Sequence, residues 1–251
     1  AGAPLSVEWT GPDQDKDYIS VSKPGSQGGQ YESYTYTNRG NPLELTMPGA
    51  PGDYELRYIQ NQGRRILASV PITVEEVSAS VSAPPTAVTG AAVSVEWTGP
   101  DQDKDYISVA VPDAKDTQYE TYVYTREGAP LNVTMPGTPG SYEIRYIQRQ
   151  GGRVLARTPI EVSAATARLA IPPAAAPGGQ LQVIWEGPGQ PRDTIVIAEA
   201  GAPDDKRLAS ARTDQGSPLV LSLPDAPGNY EVRYIQRAGG NVLARQPLTL
   251  E

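Results

Sequence analysis

The sequence predicts an all-β protein made of three tandem antiparallel β-sandwich domains. The chain repeats itself every 88 residues, as Trp9, Trp97 and Trp185 illustrate, with no insertion or deletion between copies. A period of this length suits a small domain with its own core rather than one unit of a solenoid. The 25 glycines and 25 prolines fall between short apolar runs, which is typical of many short strands joined by turns. We therefore predict domains at residues 1–76, 77–164 and 165–251.

The second repeat is complete, and its alternation of apolar and polar residues predicts about seven strands. Val93, Val95 and Trp97 alternate with polar residues, as in a strand with one buried face. Pro84 and Pro85 predict the end of the first strand, because proline cannot donate to a strand ladder. The strands expected in this repeat, in order, lie within 77–83, 93–98, 106–109, 119–125, 131–135, 142–147 and 153–162.

One phrase in each repeat narrows the type of sandwich. Pro139-Gly-Ser-Tyr-Glu-Ile-Arg-Tyr146 recurs, with small changes, as residues 51–58 and 227–234. A turn followed by Tyr and then an inward residue two places on is the tyrosine corner of immunoglobulin-like sandwiches. We therefore expect three immunoglobulin-like or fibronectin-III-like domains without the antibody cysteine pair. The residues predicted to have a structural role in them are Trp9, Trp97, Trp185, Tyr54, Tyr142 and Tyr230.

The first repeat is shorter than the second. Ala1 corresponds to Thr89, so nothing in repeat 1 matches the predicted first strand at 77–83. We interpret the chain as a fragment of a longer protein with upstream or downstream domains; the alternative is that repeat 1 borrows a strand from a neighbour. An open sheet edge is a site for strand addition, so we expect repeat 1 to be the less stable repeat unless that edge is covered.

Composition excludes several classes of function. The chain has no Cys and no His, which removes zinc–thiolate sites, cysteine nucleophiles and the commonest general base. The remaining carboxylates lie in repeated turns, so we predict that the protein is not an enzyme. The net charge of −8 argues against a nucleic-acid partner, which needs a basic surface. No apolar run approaches the roughly 18–20 residues of a membrane span.

Longer motifs resemble a known group of repeats. They are Trp97-Thr-Gly-Pro with Asp105-Tyr-Ile-Ser-Val, the run 122–131, the run 139–147 and the closing run 154–160. These are similar to the immunoglobulin-like β-sandwich repeats that accompany von Willebrand factor A domains in exported proteins of Gram-negative bacteria. The Asp-x-Ser-x-Ser metal motif of the von Willebrand factor A domain is absent, so its adhesion site cannot be transferred. The resemblance implies a periplasmic or extracellular location and a spacer or interaction role.

An acidic turn is repeated in the first two copies and suggests a metal site. Three carboxylates at alternate positions of a loop could supply oxygen ligands to Ca²⁺. The calcium-loop sequence pattern also requires a glycine after the third acid, where this chain has Tyr. Only the last acid persists in repeat 3, as Asp193, so we favour a structural role for it as an acceptor of backbone N–H groups. No cofactor is otherwise expected. The candidate calcium ligands are Asp13, Asp15, Asp17, Asp101, Asp103 and Asp105.

Tyrosines mark a second candidate site in repeats 1 and 2. Tyr offers an apolar face and a hydroxyl, which suits binding to a glycan or a protein. The alternative is cross-strand packing in a tyrosine-filled core, which the absence of Phe favours. Repeat 3 has Leu208-Ala-Ser-Ala-Arg212 where the Tyr-rich strand should be. The candidate ligand-binding residues are Tyr31, Tyr34, Tyr36, Tyr119, Tyr122 and Tyr124.

A Glu-x-Arg pair lies in each corner strand, for example Glu143 and Arg145. We expect these to be exposed ion pairs that contribute about 0–1 kcal/mol.

Taken together, these features favour a non-enzymatic, semi-rigid rod, joined by short linkers, that serves as a structural or interaction segment of a larger exported bacterial protein. The alternative is an adhesion module that binds a glycan or protein through the Tyr-rich strands and acidic loops of repeats 1 and 2, with calcium as a stiffener.

Overall fold

The computed structural model describes residues 1–251 and contains strands, turns and four single-turn 3₁₀ segments, with no α-helix. The protein is all-β and consists of tandem immunoglobulin-like β-sandwiches, as the sequence predicts. The strands of repeat 1 are β1 Pro4–Val7, β2 Tyr18–Ser22, β3 Ser33–Tyr36, β4 Leu43–Thr46, β5 Gly52–Gln60 and β6 Arg65–Val74. No helical segment is long and apolar enough to cross a bilayer.

Repeat 2 forms a sandwich of a five-stranded and a three-stranded sheet. Its strands are β7 Ser80–Ser82, β8 Thr86–Val88, β9 Ala92–Thr98, β10 Tyr106–Ala110, β11 Thr121–Tyr124, β12 Leu131–Thr134, β13 Gly140–Gln148 and β14 Arg153–Ser163. The larger sheet has the order β11-β10-β13-β14-β8 and the smaller has the order β12-β9-β7. Apolar residues at alternate positions of β9, such as Val93 and Val95, face apolar residues of β10 and β13 across a core of 12 buried residues.

Repeat 3 has the same arrangement. Its strands are β15 Arg168–Ala170, β16 Ala174–Ala175, β17 Gln180–Glu186, β18 Thr194–Glu199, β19 Ala209–Arg212, β20 Leu219–Ser222, β21 Gly228–Ile235 and β22 Val242–Leu250. The sheets have the orders β16-β22-β21-β18-β19 and β15-β17-β20.

Repeat 1 lacks one strand from each sheet. Its sheets are β3-β2-β5-β6 and β1-β4, without counterparts of β7 and β8. Its core has 8 buried residues, against 12 in each of the other repeats. Leu67 is 41% exposed, whereas its counterparts Leu155 and Leu243 are partly buried against their cores. The two absent strands therefore leave apolar surface uncovered in repeat 1.

The number of strands differs from the expectation of about seven. Repeat 2 has eight, because Thr86–Val88 forms an additional short strand beside β14 in the parallel direction. The proline pair before it ends the first strand at Ser82, as predicted, but the chain resumes hydrogen bonding directly afterwards. The two short strands on either side of the proline pair therefore join different sheets, β7 the smaller and β8 the larger. The sequence pattern predicted only the first of them.

The tyrosine corner is present in every repeat. The Tyr142 hydroxyl donates to the carbonyl oxygen of Thr138 at 2.9 Å, and Tyr54 and Tyr230 make the same bond at 3.0 and 2.9 Å. Each Trp is half-buried rather than fully buried and donates its indole N–H to a glycine carbonyl about thirty residues later in the chain. These glycines are Gly40, Gly128 and Gly216.

The prediction that the Glu-x-Arg pairs are exposed is wrong for the arginines. Arg145 is 1% exposed and donates to the carbonyl oxygens of Val111, Pro112 and Ala114 at 3.0, 2.8 and 3.1 Å, and to Glu143 at 2.9 Å. These carbonyls belong to a loop whose backbone has no ladder partner, and a planar guanidinium can satisfy several acceptors at once. The counterparts Arg57 and Arg233 are buried in the same way.

Candidate functional site

Four tyrosines of repeat 1 form one aromatic cluster at the edge of the larger sheet. Tyr34 and Tyr36 occupy alternate positions of the edge strand β3, and the register places Tyr36 opposite Tyr18 of β2. Tyr31 reaches the same face from the loop that precedes β3. The ring centroids of Tyr31 and Tyr34 are 4.7 Å apart, and those of Tyr34 and Tyr36 are 5.2 Å apart. Tyr18 lies beneath them, 5.4 Å from Tyr34.

Repeat 2 reproduces this cluster on β10 and β11. The ring of Tyr122 lies 4.8 Å from Tyr119, 5.3 Å from Tyr124 and 5.6 Å from Tyr106. The Arg126 guanidinium lies over the ring of Tyr124, 4.8 Å from its centroid. Such a contact attracts the cation to the ring face.

The tyrosines of each cluster differ in how far they are exposed to solvent. Tyr18 and Tyr106 are buried, and burial raises the pKa of both hydroxyls. Tyr34 and Tyr122, by contrast, are 39% and 41% exposed. Tyr31 and Tyr119 are 45% and 44% exposed, and Tyr36 and Tyr124 are half-buried. Each cluster thus combines a packed base with exposed rings of the kind that contact sugars and proteins.

Repeat 3 has no such cluster. The positions equivalent to the four tyrosines of repeat 2 carry Thr194, Arg207, Ser210 and Arg212. The strand pairing is unchanged, with Thr194 opposite Arg212 as Tyr106 is opposite Tyr124. The backbone therefore does not require tyrosine at these positions.

The last acid of each acidic turn is buried and forms hydrogen bonds with backbone and side-chain donors. Asp105 accepts the backbone N–H groups of Gln102 and Arg149 at 3.1 and 2.8 Å, and the Tyr146 hydroxyl at 2.9 Å. The other repeats make the same three contacts through Asp17 and Asp193. The carboxylate therefore ties the turn to the following hairpin and to the corner strand.

The other acids of the turn take no part in this network. Asp101 and Asp103 are exposed, as are Asp13 and Asp15, and none of the four side chains accepts a hydrogen bond. The structure has no group of three or more acidic side chains placed to hold a metal ion. Calcium binding by these turns stays a prediction.

A hairpin turn of repeat 2 contacts two loops of repeat 1. The buried Gln148 donates its side-chain amide to the carbonyl oxygen of Ala1 at 3.2 Å. Arg153 donates to the carbonyl oxygen of Gly49 at 2.8 Å and forms an ion pair with Glu76 at 3.3 Å. We call the hairpin turn of a repeat, such as 148–153, its plug. The two loops that receive it, here 1–2 and 48–49, are called the socket.

The contact between repeats 2 and 3 repeats this geometry 88 residues later. The plug of repeat 3 is 236–241, and the socket of repeat 2 is 89–90 with 136–137. Gln236 and Thr89 exchange two hydrogen bonds, one between their side chains at 3.1 Å and one from the Gln236 amide to the Thr89 carbonyl. Asn241 donates to the carbonyl oxygen of Gly137 at 2.6 Å. At the first contact Ala1 has no hydroxyl, and the buried Gln148 Oε1 has no partner.

The plug and socket residues were not identified from the sequence. Gln148 and Gly49 are 99 positions apart, and neither belongs to a recognisable motif. The available signal was that Gly2, Gly49 and Gln148 recur 88 residues later as Gly90, Gly137 and Gln236.

The matches of this chain to known proteins are distant. No protein-family model matches the chain, and no curated protein matches it. Among solved structures, the FN1–FN3 domains of chicken CNTN1 match with 10% identity and a TM-score of 0.27, over 100% of this chain and 95% of that one. A tetra-tandem repeat from the extending region of a large adhesion protein matches with 12% identity and a TM-score of 0.28, over 94% and 67%. The N-terminal eight Ig domains of Down Syndrome Cell Adhesion Molecule match with 11% identity and a TM-score of 0.26, and this chain spans 34% of that one.

Proposed function

We propose that the chain is a non-enzymatic, semi-rigid rod of three domains, residues 1–76, 77–164 and 165–251, that serves as a structural or interaction segment. The observation that carries this proposal is the repeated plug-and-socket contact. Two side-chain amides, Gln148 and Gln236, are fully buried between neighbouring repeats and donate hydrogen bonds across the junctions. A contact made twice with the same geometry supports a regular array rather than freely jointed domains.

The wider setting of this rod rests on the motifs. We propose that it belongs to a longer exported protein of a Gram-negative bacterium that also carries a von Willebrand factor A domain, and that it works in the periplasm or outside the cell. Detection of the native protein in periplasmic or culture-medium fractions would support this location. Recovery with cytoplasmic markers alone would contradict it.

Small-angle X-ray scattering of the full chain tests the rod. We expect the wild-type scattering curve to fit an ensemble with a narrow range of maximum dimensions. Gly137→Asp should broaden it, because a Cβ at this position would lie 2.5 Å from backbone atoms of Ala238. Asn132→Asp adds the same charge at an exposed position of β12 and should leave the profile unchanged. A broad wild-type distribution would contradict the rod.

The tyrosine clusters favour a second function, binding of a glycan or a protein partner by repeats 1 and 2. Tyr31, Tyr34, Tyr119 and Tyr122 expose their rings side by side, and repeat 3 keeps the same strand pairing without them. A glycan array and a pull-down assay with the full chain would test this function. Binding should be lost when these four residues are replaced by Ala and kept in Leu208→Ala, which removes an exposed apolar side chain from repeat 3. Equal binding by both variants would exclude the clusters.

Calcium is the third element of the proposal and concerns repeats 1 and 2 only. Titration calorimetry with CaCl₂ and melting with and without a chelator address it directly. No heat of binding and an unchanged melting temperature would exclude calcium as a stiffener.

A further inference from the structure

Two halves of the plug-and-socket contact are unused in this chain. The plug of repeat 1, residues 60–65, contacts no other repeat, and neither does the socket of repeat 3, residues 177–178 with 224–225. Gln60 is half-buried and Arg65 is exposed, whereas their counterparts in the first junction, Gln148 and Arg153, are fully buried and half-buried. The plug of repeat 1 keeps what the contact needs, whereas the socket of repeat 3 does not.

The plug of repeat 1 keeps the groups that make the contact in repeat 2. Gln60 corresponds to Gln148 and Arg65 to Arg153, the two donors to the socket carbonyls. Gly63 corresponds to Gly151, which lies against Gly49 in the first junction. Arg64 differs from Gly152, but its side chain lies along Gly29 of its own repeat. The plug therefore presents the same donors at an open surface.

The socket of repeat 3 has lost a glycine that the contact requires. A Cβ on Gly49 would overlap the carbonyl oxygen of Gln150, and one on Gly137 would lie 2.5 Å from the backbone of Ala238. The equivalent residue of repeat 3 is Asp225. Pro177 has no hydroxyl to match Thr89, but neither has Ala1 of the socket that is used in repeat 1. The backbone of the socket is otherwise kept, because the Gly178 N–H donates to the Pro224 carbonyl at 2.8 Å, as the Gly2 N–H does to Pro48 at 2.9 Å. The Cβ of Asp225 thus lies where the backbone of a plug would have to pass.

We propose that the plug of repeat 1 is a docking surface for a repeat of this same kind that has glycine in its socket, and that Asp225 closes the socket of repeat 3. The socket of repeat 3 then accepts no plug, and copies of this chain do not join head to tail. A head-to-tail contact that does not close on itself generates open filaments, and a blocked socket prevents them. This inference rests on the proposed rod.

The test opens the closed socket in the full chain. Asp225→Gly creates a copy with both a plug and an open socket, and sedimentation equilibrium should show head-to-tail association, with a weak affinity on the order of 1 mM for so small a contact. The wild type should stay monomeric. Asp225→Ala is the matched control and should also stay monomeric, because it removes the charge but keeps the Cβ. Adding Gln60→Ala and Arg65→Ala to Asp225→Gly should abolish the association.

Three results would overturn the inference: self-association of the wild type, equal association of the Ala and Gly variants, or a monomeric Asp225→Gly chain at millimolar concentration. X-ray scattering of the wild type separates these outcomes from failure of the rod. A rigid wild type with a monomeric Asp225→Gly variant rejects only the docking surface, whereas a flexible wild type rejects the rod itself.

Discussion

Replacement of Asp105 by Asn should destabilise repeat 2 although the two side chains have nearly the same shape. The carboxylate accepts three hydrogen bonds in a fully buried position, from two backbone N–H groups and the Tyr146 hydroxyl. An amide keeps one oxygen and places an NH₂ group against at least one of these donors. The carboxylate thus has a structural role that does not depend on metal.

The magnitude follows from the bonds that change. Hydrogen bonds to a charged group contribute about 1.5–3 kcal/mol each, and neutral ones about 1 kcal/mol. Asn loses one charged bond and weakens the other two, so we expect a loss of about 3–5 kcal/mol in the free energy of unfolding of repeat 2. Asp103→Asn, two residues away and exposed, should change it by less than about 0.5 kcal/mol.

Hydrogen exchange measured by mass spectrometry resolves the repeats of the full chain and is the suitable assay. Protection should fall across β10, β13 and β14 in Asp105→Asn and remain at the wild-type level in repeat 3. A difference below about 1 kcal/mol between the two Asn variants would refute the reasoning. So would a chelator that reproduces the effect in the wild type, since that result would assign the acids to a metal.

The remaining predictions concern the junctions, the buried tyrosines and the incomplete repeat. Thr89→Ala leaves the Gln236 Oε1 and the Ala165 N–H without their partner, so protection of residues 236–241 should fall by about 1–3 kcal/mol; unchanged protection would mean that this bond does not hold the junction. Burial is the main cause of the raised pKa of Tyr58, Tyr146 and Tyr234, and hydrogen bonding to an aspartate adds to it. Above about pH 10 the unfolded chain loses these hydroxyl protons while the folded chain keeps them. The contribution of these tyrosines to the free energy of unfolding should therefore be complete below about pH 10 and decrease as the pH rises further, by up to about 1.4 kcal/mol per pH unit for each tyrosine. Tyr146→Phe should show a shallower decrease in urea titrations at alkaline pH, and an identical slope would contradict this linkage. Repeat 1 should exchange its amide protons faster than repeat 2, because it lacks two strands and exposes Leu67; equal protection would show that its open edges cost nothing.

Local patterns in the sequence were sufficient for the fold class. A strand alternates its side chains between two faces, so Val93, Val95 and Trp97 identified a buried face from spacing alone. The tyrosine corner is equally local, since the Tyr142 hydroxyl bonds to a carbonyl only four residues earlier. The short strand Thr86–Val88 was missed because its pairing depends on the position of β14, more than seventy residues later.

The candidate sites were likewise predictable from the sequence only where they depend on local spacing. The tyrosines of β11 were recognisable from their repeated positions, but the contribution of Tyr119 from a loop required the folded edge of the sheet. The outward position expected for Arg145 follows correctly from strand alternation, yet the loop at 111–114 folds over that face and buries the guanidinium.

The sequence by itself determined the 88-residue register, the all-β fold and the contrast between repeats 1 and 2 and repeat 3, because each depends on residue order and on spacing within a few turns of chain. Only the tertiary structure decided which glycines lie between repeats and which arginines are buried. These properties depend on contacts between residues some thirty to a hundred positions apart. The sequence alone aligns Asp225 with Gly49. The expected effect of Asp225 on docking follows only from the structure, in which the Gln150 carbonyl lies against Gly49.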